Sequence, residues 1–104
     1  MPSGDDWNGP EIKAIVEAYF WMLGEQFAGR AFSKKDLVKW LGAGALRLRS
    51  KGAIERKLCN VSAAVVELGL PRLSGYKPLT HLQSNLLIEV RKVIGERALE
   101  TESE

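Results

Sequence analysis

Apolar residues recur at three- and four-residue intervals along four stretches of the chain, residues 12–27, 37–41, 54–68 and 82–94. This spacing places the apolar side chains on one face of an α-helix, which can then pack against a core. No stretch alternates apolar and polar residues with a period of two, so we expect no β-strands. The pattern therefore predicts an all-α fold, a small four-helix domain with short connections and one core.

Residues with helix-capping chemistry stand in front of each of these stretches. Their side-chain oxygens can accept hydrogen bonds from the unpaired backbone N–H groups of a first helical turn. The predicted caps are Asn8, Ser33, Ser50 and Thr80, the last opening a T-x-x-Q capping box. Gly29 and Gly69 are expected to end the first and third helices. We accordingly expect a polar N-terminal tail over residues 1–8, a helical domain over 9–97 and an acidic C-terminal tail over 98–104.

The first two helices carry large aromatic residues whose sides can be assigned from the same spacing. Phe27 belongs to the apolar stripe of the first helix, and Trp40 lies with the inner residues of the stretch 37–41, so both are expected to face the core. Trp21 lies on the opposite side of the first helix. It is either covered by another element, which we favour, or offered to a partner.

The third helix is predicted to have two different faces. Its core side carries Ile54, Leu58, Val61 and Val65. The opposite side carries Gly52, Arg56, Cys59, Asn60, Ala63 and Glu67. The second and third helices follow one another as in a helix-turn-helix motif, in which the second helix enters the DNA major groove and the first crosses the backbone. We therefore predict a helix-turn-helix-like central pair.

The composition narrows the class of protein. With 104 residues, 45% hydrophobic and 27% charged, the chain fits one soluble globular domain. It has no apolar run long enough to span a bilayer and no apolar signal-peptide centre, so we expect a cytoplasmic location. Cys59 and His81 are the only residues of their kinds, too few for an internal disulfide or a Cys/His zinc site. We expect no cofactor, no metal and no catalysis by this chain alone.

Basic residues concentrate in the middle of the chain. Residues 34–57 hold eight of the 15 Lys and Arg but only two of the 13 Asp and Glu. Such segregation is typical of a surface that binds a polyanion, although a merely solvated basic face is the alternative interpretation. Glu67, at the far end of the outer face of the third helix, favours that alternative because it would repel DNA.

Side chains suited to base recognition and to phosphate contact occur together in this region. Arg56 and Asn60 lie one helical turn apart, and their hydrogen-bonding groups match the edges of guanine and adenine respectively. Ser50 caps a turn whose backbone N–H groups can hold a phosphate. The cations expected to contact DNA are Lys34, Lys35, Arg47, Arg49, Lys51 and Lys57.

Several motifs resemble those of a helical domain at the N-terminus of bacterial HNH-type nucleases and restriction-associated proteins. They are W-x(2)-P-E-I, Y-F-W-M-L-G-E-Q-F-A-G, K-x-x-N-V-S-A, G-Y-K-P and H-L-Q-S-N-L-L, in chain order. The resemblance covers residues 7–93, and its most specific parts are K-x-x-N-V-S-A and G-Y-K-P. It implies an accessory module that recognises double-stranded DNA, including modified DNA, in proteins that cut foreign DNA.

By position, the resemblance also implies further site residues. The candidates are Arg49, Ser50, Lys57, Asn60 and Ser62 in and before the third helix, and Gly75, Tyr76, Lys77 and Pro78 in the loop after it. Tyr76 and Lys77 can stack on a base and neutralise a phosphate, or Tyr76 can simply pack beneath the loop. Arg56 and Leu58 depart from the family pattern, which has aromatic or His residues there. No nuclease domain follows residue 104, so we do not expect this chain to cleave DNA.

Three hypotheses remain open at this point. The first is a double-stranded-DNA-binding domain that works with a nuclease domain or subunit. The second is a protein-interaction or homodimerisation domain, motivated by Trp21 and by the wide apolar stripe of the last helix. The third is binding of RNA or single strands through Tyr76 and the basic turn. We expect no membrane partner.

Overall fold

The computed structural model describes residues 7–80 and 83–102, and the side chains of these residues as far as Arg97. It consists of four helices in this part of the chain, with no strand among them. The helices are α1 (Gly9–Ala28), α2 (Lys34–Ala43), α3 (Lys51–Glu67) and α4 (Ser84–Glu102). The predicted all-α fold, a small four-helix domain, is confirmed. None of the helices in the described part is long and apolar enough to cross a membrane.

The first three helices begin at the predicted caps. The side chains of Asn8, Ser33 and Ser50 each accept a hydrogen bond from the backbone N–H three residues further along. At α1 the bond is reciprocal, because the Asn8 backbone N–H donates to the Glu11 carboxylate over 3.0 Å. Gly29 and Gly69 have φ angles of 71° and 82°, the left-handed conformation that glycine adopts most easily at a helix end.

The predicted start of α4 is wrong. The helix begins at Ser84 rather than after a Thr80 capping box, and His81 and Leu82 lie outside the described residues. The Gln83 side chain binds the backbone of Trp7 instead, donating to the Trp7 carbonyl over 2.8 Å and accepting from the Trp7 N–H over 3.1 Å. The other end of the helix also differs from expectation. Residues 98–102, expected in an acidic tail, continue α4, in keeping with the helix propensity of Ala, Leu and Glu.

Trp7 belongs to the core and not to an N-terminal tail. Its side chain is only 4% exposed, and the pair of bonds to Gln83 joins the start of the described chain to the start of α4. The sequence pattern did not include Trp7 because a single aromatic residue in front of a helix cap has no periodicity. Residues 1–6 lie outside the described part.

α3 is the central helix of the domain, packed against each of the other three. Its predicted core residues Ile54, Leu58, Val61 and Val65 are at most 1% exposed, as expected. Tyr19 of α1 is fully buried beside them, and its hydroxyl lies 2.8 Å from the Ser62 hydroxyl of α3. A single core therefore lies around α3, and it includes side chains from all four helices.

Two of the predicted core aromatics are on the surface instead. Trp40 is 69% exposed and Phe27 is 64% exposed. Each of the two helices packs only part of its apolar stripe against the core, and these two side chains belong to the part that is left exposed. Trp21 is 51% exposed, and the ring of Phe32 meets it edge-on at 6.1 Å between centroids. The expected cover over Trp21 is therefore only partial.

Candidate nucleic-acid interface

A groove runs between α2 and the first turns of α3, and lysines line it on both sides. It comprises two adjoining depressions of about 350 and 330 Å³, which share Lys35, Val38 and Lys51. The remaining lining residues are Lys39, Gly42, Arg49 and Ile54 in the first, and Lys34, Glu55, Gly75 and Tyr76 in the second. We refer to these eleven positions as the basic groove.

Local sequence explains how the groove acquires its charge. Lys35 and Lys39 are four residues apart on α2, so they lie on the same face and both border the first depression. Lys51 is the first residue of α3, directly after the Ser50 cap. The positive end of the α3 dipole and its unpaired N–H groups therefore add to the positive potential contributed by the lysines.

Arg49 lines the groove but is held by an ion pair. Its guanidinium donates two hydrogen bonds to the Glu11 carboxylate, over 2.9 and 2.8 Å, and lies 5.0 Å from the centroid of the Trp7 ring. The hydrogen bond from Arg49 is the main reason that the pKa of Glu11 is lowered. Lys57 also lies over Trp7, at 5.1 Å, and is 9% exposed. The assignment of Lys57 to an exposed phosphate-contacting surface is therefore wrong, because this cluster buries it.

The predicted outward orientation of Asn60 is also wrong. Asn60 is 7% exposed, and its side-chain amide donates to the carbonyl oxygens of Leu79 and Thr80 over 2.6 and 3.3 Å. Ala63, expected on the same outer face, is 8% exposed. The segment 68–80 folds back over this side of α3, which helix periodicity alone could not reveal. The Asn60 side-chain amide, which was predicted to recognise adenine, therefore binds this segment instead.

The segment 68–80 is anchored by several hydrogen bonds to the helices. The Leu73 N–H donates to the Tyr19 hydroxyl and the Ser74 N–H to the Gln26 side chain, each over 2.8 Å. The Leu79 N–H donates to the Cys59 carbonyl over 3.1 Å. These bonds attach the middle of the segment to α1 and its C-terminal end to α3.

Tyr76 packs beneath this segment, which is the second of the two roles considered for it. It is 7% exposed, and burial is the main cause of its raised pKa. Lys34 lies over its ring at 5.4 Å and donates to the Ser74 carbonyl. The expectation that Tyr76 offers a free face to a base is therefore wrong. Lys77, the next residue, is exposed.

Gly75, in the segment 68–80, lies beside the Lys34 side chain of α2. Its φ of 92° is unfavourable for other residues, and a Cβ atom there would collide with the Lys34 ammonium group. The positive φ gives a physical reason for the glycine in the G-Y-K-P motif.

The structure thus brings together part of the predicted site. Lys34, Lys35, Arg49 and Lys51 border the basic groove, while Arg47, Arg56 and Lys77 are exposed but do not line it. Ser50 caps α3 as expected, with its hydroxyl accepting from the Ala53 N–H over 3.1 Å. Lys39 and Glu55 line the groove and were missed as candidates. Lys39 could have been predicted from the sequence, because it lies four residues after Lys35 and therefore on the same face of α2.

The burial of α3 limits what it can present to DNA. Every residue from Lys57 to Val65 is buried or half-buried. Exposed positions in the first two turns are Lys51, Gly52, Glu55 and Arg56. Apart from Val66 and Glu67 at its C-terminal end, α3 therefore exposes side chains only in its first two turns.

A second, apolar groove lies on the other side of α2, against α1. It measures about 500 Å³ and is lined by Ala14, Glu17, Ala18, Trp21, Leu37, Trp40, Leu41 and Ala45. We refer to it as the apolar groove. Trp21 and Trp40, the two exposed tryptophans, both line this groove. Helix α2 therefore has the basic groove on one side and the apolar groove on the other.

Two further observations concern other kinds of site. In the described part of the chain, no three His, Cys, Asp or Glu side chains cluster closely enough to hold a metal ion. Cys59 is half-buried, and burial is the main cause of the raised pKa of its thiol. Comparison of the chain with protein-family models, with curated proteins and with solved structures gives no match in any of the three.

Proposed function

We propose that this domain binds double-stranded DNA through the basic groove and the exposed N-terminal turns of α3. The observation that supports it is the basic groove itself, because four lysines of α2 and α3 line its two adjoining depressions. The order and packing of α2 and α3 suit a helix-turn-helix-like role, with α2 along the phosphate backbone and the end of α3 directed into the major groove. The resemblance to nuclease-associated domains suggests the context, an accessory module of a restriction or nuclease-type defence system in the cytoplasm.

The physical basis of the proposal is neutralisation of phosphates. Lys35, Lys39 and Lys51 each carry a mobile ammonium group that can contact a phosphate without demanding one geometry. Such contacts release counterions from DNA, so affinity should fall steeply as salt increases. They position the protein on the duplex and do not by themselves select a sequence.

Fluorescence anisotropy with labelled duplexes over a series of salt concentrations tests this proposal. We expect Lys35→Ala and Lys51→Ala to weaken binding to all duplexes alike and to reduce the salt slope by about one unit each. Lys92→Ala is the matched control, because Lys92 is an exposed lysine of α4 outside the groove, and it should change neither quantity. Absence of duplex binding at low salt would contradict the proposal, as would clearly tighter binding to single strands or to duplex RNA.

A second candidate function is self-association through the apolar groove. Trp40 and Trp21 are 69% and 51% exposed, which is unusual for a residue type that is largely buried on average. In a twofold-symmetric dimer the same surface meets itself, so each copy could place its exposed Trp40 against the groove of the other. A homodimer is also compatible with DNA binding, since two N-terminal ends of α3 would then face successive grooves.

A further inference from the structure

The exposed turns of α3 contain few side chains that can distinguish one base from another. Gly52 has no side chain, and Lys51 carries a point charge at the border of the basic groove. Directional hydrogen bonding is therefore left to Glu55 and Arg56, both exposed. Neither side chain forms a hydrogen bond or an ion pair with the part of the chain that the structure describes.

The chemistry of these two side chains matches the two members of one base pair. The forked N–H donors of Arg56 fit the O6 and N7 acceptors of guanine, and the Glu55 carboxylate can accept from the N4 amino group of cytosine. Adenine requires a donor and an acceptor together, as an amide provides. Asn60 is the amide of α3, and its donors are already used on the segment 68–80.

The position of Glu55 is informative because it is an acid in a lysine-lined groove. It borders the second depression beside Lys34, Lys35 and Lys51. A carboxylate there repels phosphates, so it opposes binding unless it meets a donor on the DNA. The exposed amino group of cytosine in the major groove is such a donor.

We propose that Glu55 and Arg56 recognise G·C base pairs in the major groove and give the domain a preference for sites that contain them. The inference rests on the proposed binding of duplex DNA and adds which bases are recognised. Lys35, Lys39 and Lys51 then contribute affinity without sequence preference, whereas Glu55 and Arg56 contribute the preference.

Selection from a library of randomised duplexes, followed by anisotropy on the selected site, tests this inference. We expect G·C pairs to be enriched at adjacent positions. Replacing the selected guanine with 7-deazaguanine, which lacks the N7 acceptor, should weaken binding about tenfold. Arg56→Lys should cause a similar loss at an unchanged salt slope, because lysine retains the charge but not the fork.

A second variant tests the role of the Glu55 carboxylate. Glu55→Ala should remove the cytosine preference at one position, while binding to unselected duplexes is retained or strengthened because a negative charge is lost. Arg91→Lys, at an exposed arginine of α4, is the control and should leave site preference unchanged. Circular dichroism melts of all variants should coincide, since each change is at an exposed position.

Two results would overturn the inference and leave the proposed function standing. One is salt-dependent duplex binding with no enriched base pair, and the other is full retention of selected-site affinity by Arg56→Lys. Absence of duplex binding at low salt would overturn the inference and the proposed function together.

Discussion

Arg49 shows how the environment of one residue decides its role. It precedes the α3 cap in a basic segment, which suggested a contact with phosphate. In the structure it meets the Glu11 carboxylate with two hydrogen bonds and lies over Trp7. The side chains of this ion pair are 17% and 8% exposed, so water screens the charges little. The pair thereby holds the basic turn before α3 against the start of α1.

Removal of the Glu11 charge should destabilise the domain substantially. Glu11→Gln retains a capping-box residue at the start of α1 but leaves the Arg49 guanidinium without its counter-charge. We expect a loss of about 3 kcal/mol in the free energy of unfolding at neutral pH, measured by urea denaturation. The control is Glu25→Gln, whose partner Arg30 is 68% exposed, and its cost should stay below about 1 kcal/mol.

The same variant should change the dependence of stability on pH. Because the pKa of Glu11 is lowered in the folded state, its contribution is fully present above the unfolded value of about 4.3 and is lost as pH falls through the folded value. The difference between wild type and Glu11→Gln should therefore shrink in acid. A difference that stays constant down to low pH would contradict this role for the ion pair.

At the scale of elements, the segment 68–80 determines which parts of α3 are exposed. It has little regular structure, yet hydrogen bonds from Leu73, Ser74 and Leu79 attach it to the helices. It covers the middle of the face of α3 that helix periodicity assigned to the outside, around Asn60 and Ala63. As a result, α3 presents its first two turns to solvent and buries the middle of its length. The DNA contact that we propose is thereby restricted to the N-terminal end of this helix.

The Asn60 side chain is expected to act in folding and not in base recognition. Asn60→Ala leaves the Leu79 and Thr80 carbonyls without their side-chain donor, so unfolding should become easier by about 1–3 kcal/mol. Glu67→Ala, an exposed change on the same helix, is the control and should be within about 0.5 kcal/mol of wild type. Unchanged stability combined with lost sequence preference would instead assign Asn60 to DNA.

At the scale of the whole molecule, α2 lies between two surfaces of different chemistry. The basic groove faces α3, whereas the apolar groove faces α1 and contains both exposed tryptophans. The two grooves have no lining residue in common. The two candidate functions can therefore be separated by variants that change one surface at a time.

Self-association through the apolar groove predicts a dependence on Trp40. Sedimentation velocity of the wild-type protein should show a dimer that becomes populated as concentration rises, and Trp40→Ser should shift the protein toward monomer. Leu48→Ser is the matched control, since Leu48 is 84% exposed but does not line the groove. A wild-type protein that remains monomeric at high concentration would contradict this second candidate, with no consequence for DNA binding.

Local sequence was sufficient for the fold class, for three helix starts and for the core face of α3. The reason is that caps and helical periodicity depend on residues within one or two turns of each other, as at Asn8 and Glu11 or Ile54 and Leu58. The concentration of positive charge in residues 34–57 was also evident from the sequence, because counting charged residues does not depend on which residues are neighbours in space.

Only the tertiary structure decided which polar side chains remain available for binding. The Trp7 backbone is bonded to Gln83, 76 positions away, and the Asn60 side chain is bonded to carbonyls 19 and 20 positions away. Local periodicity contains no information about pairings at such separations. The basic segment therefore divides into bases held by partners within the domain, which are Lys34, Arg49 and Lys57, and exposed ones, of which Lys35, Lys39 and Lys51 border the basic groove. That division depends on long-range packing, which assigns each charged side chain either to a partner within the domain or to solvent.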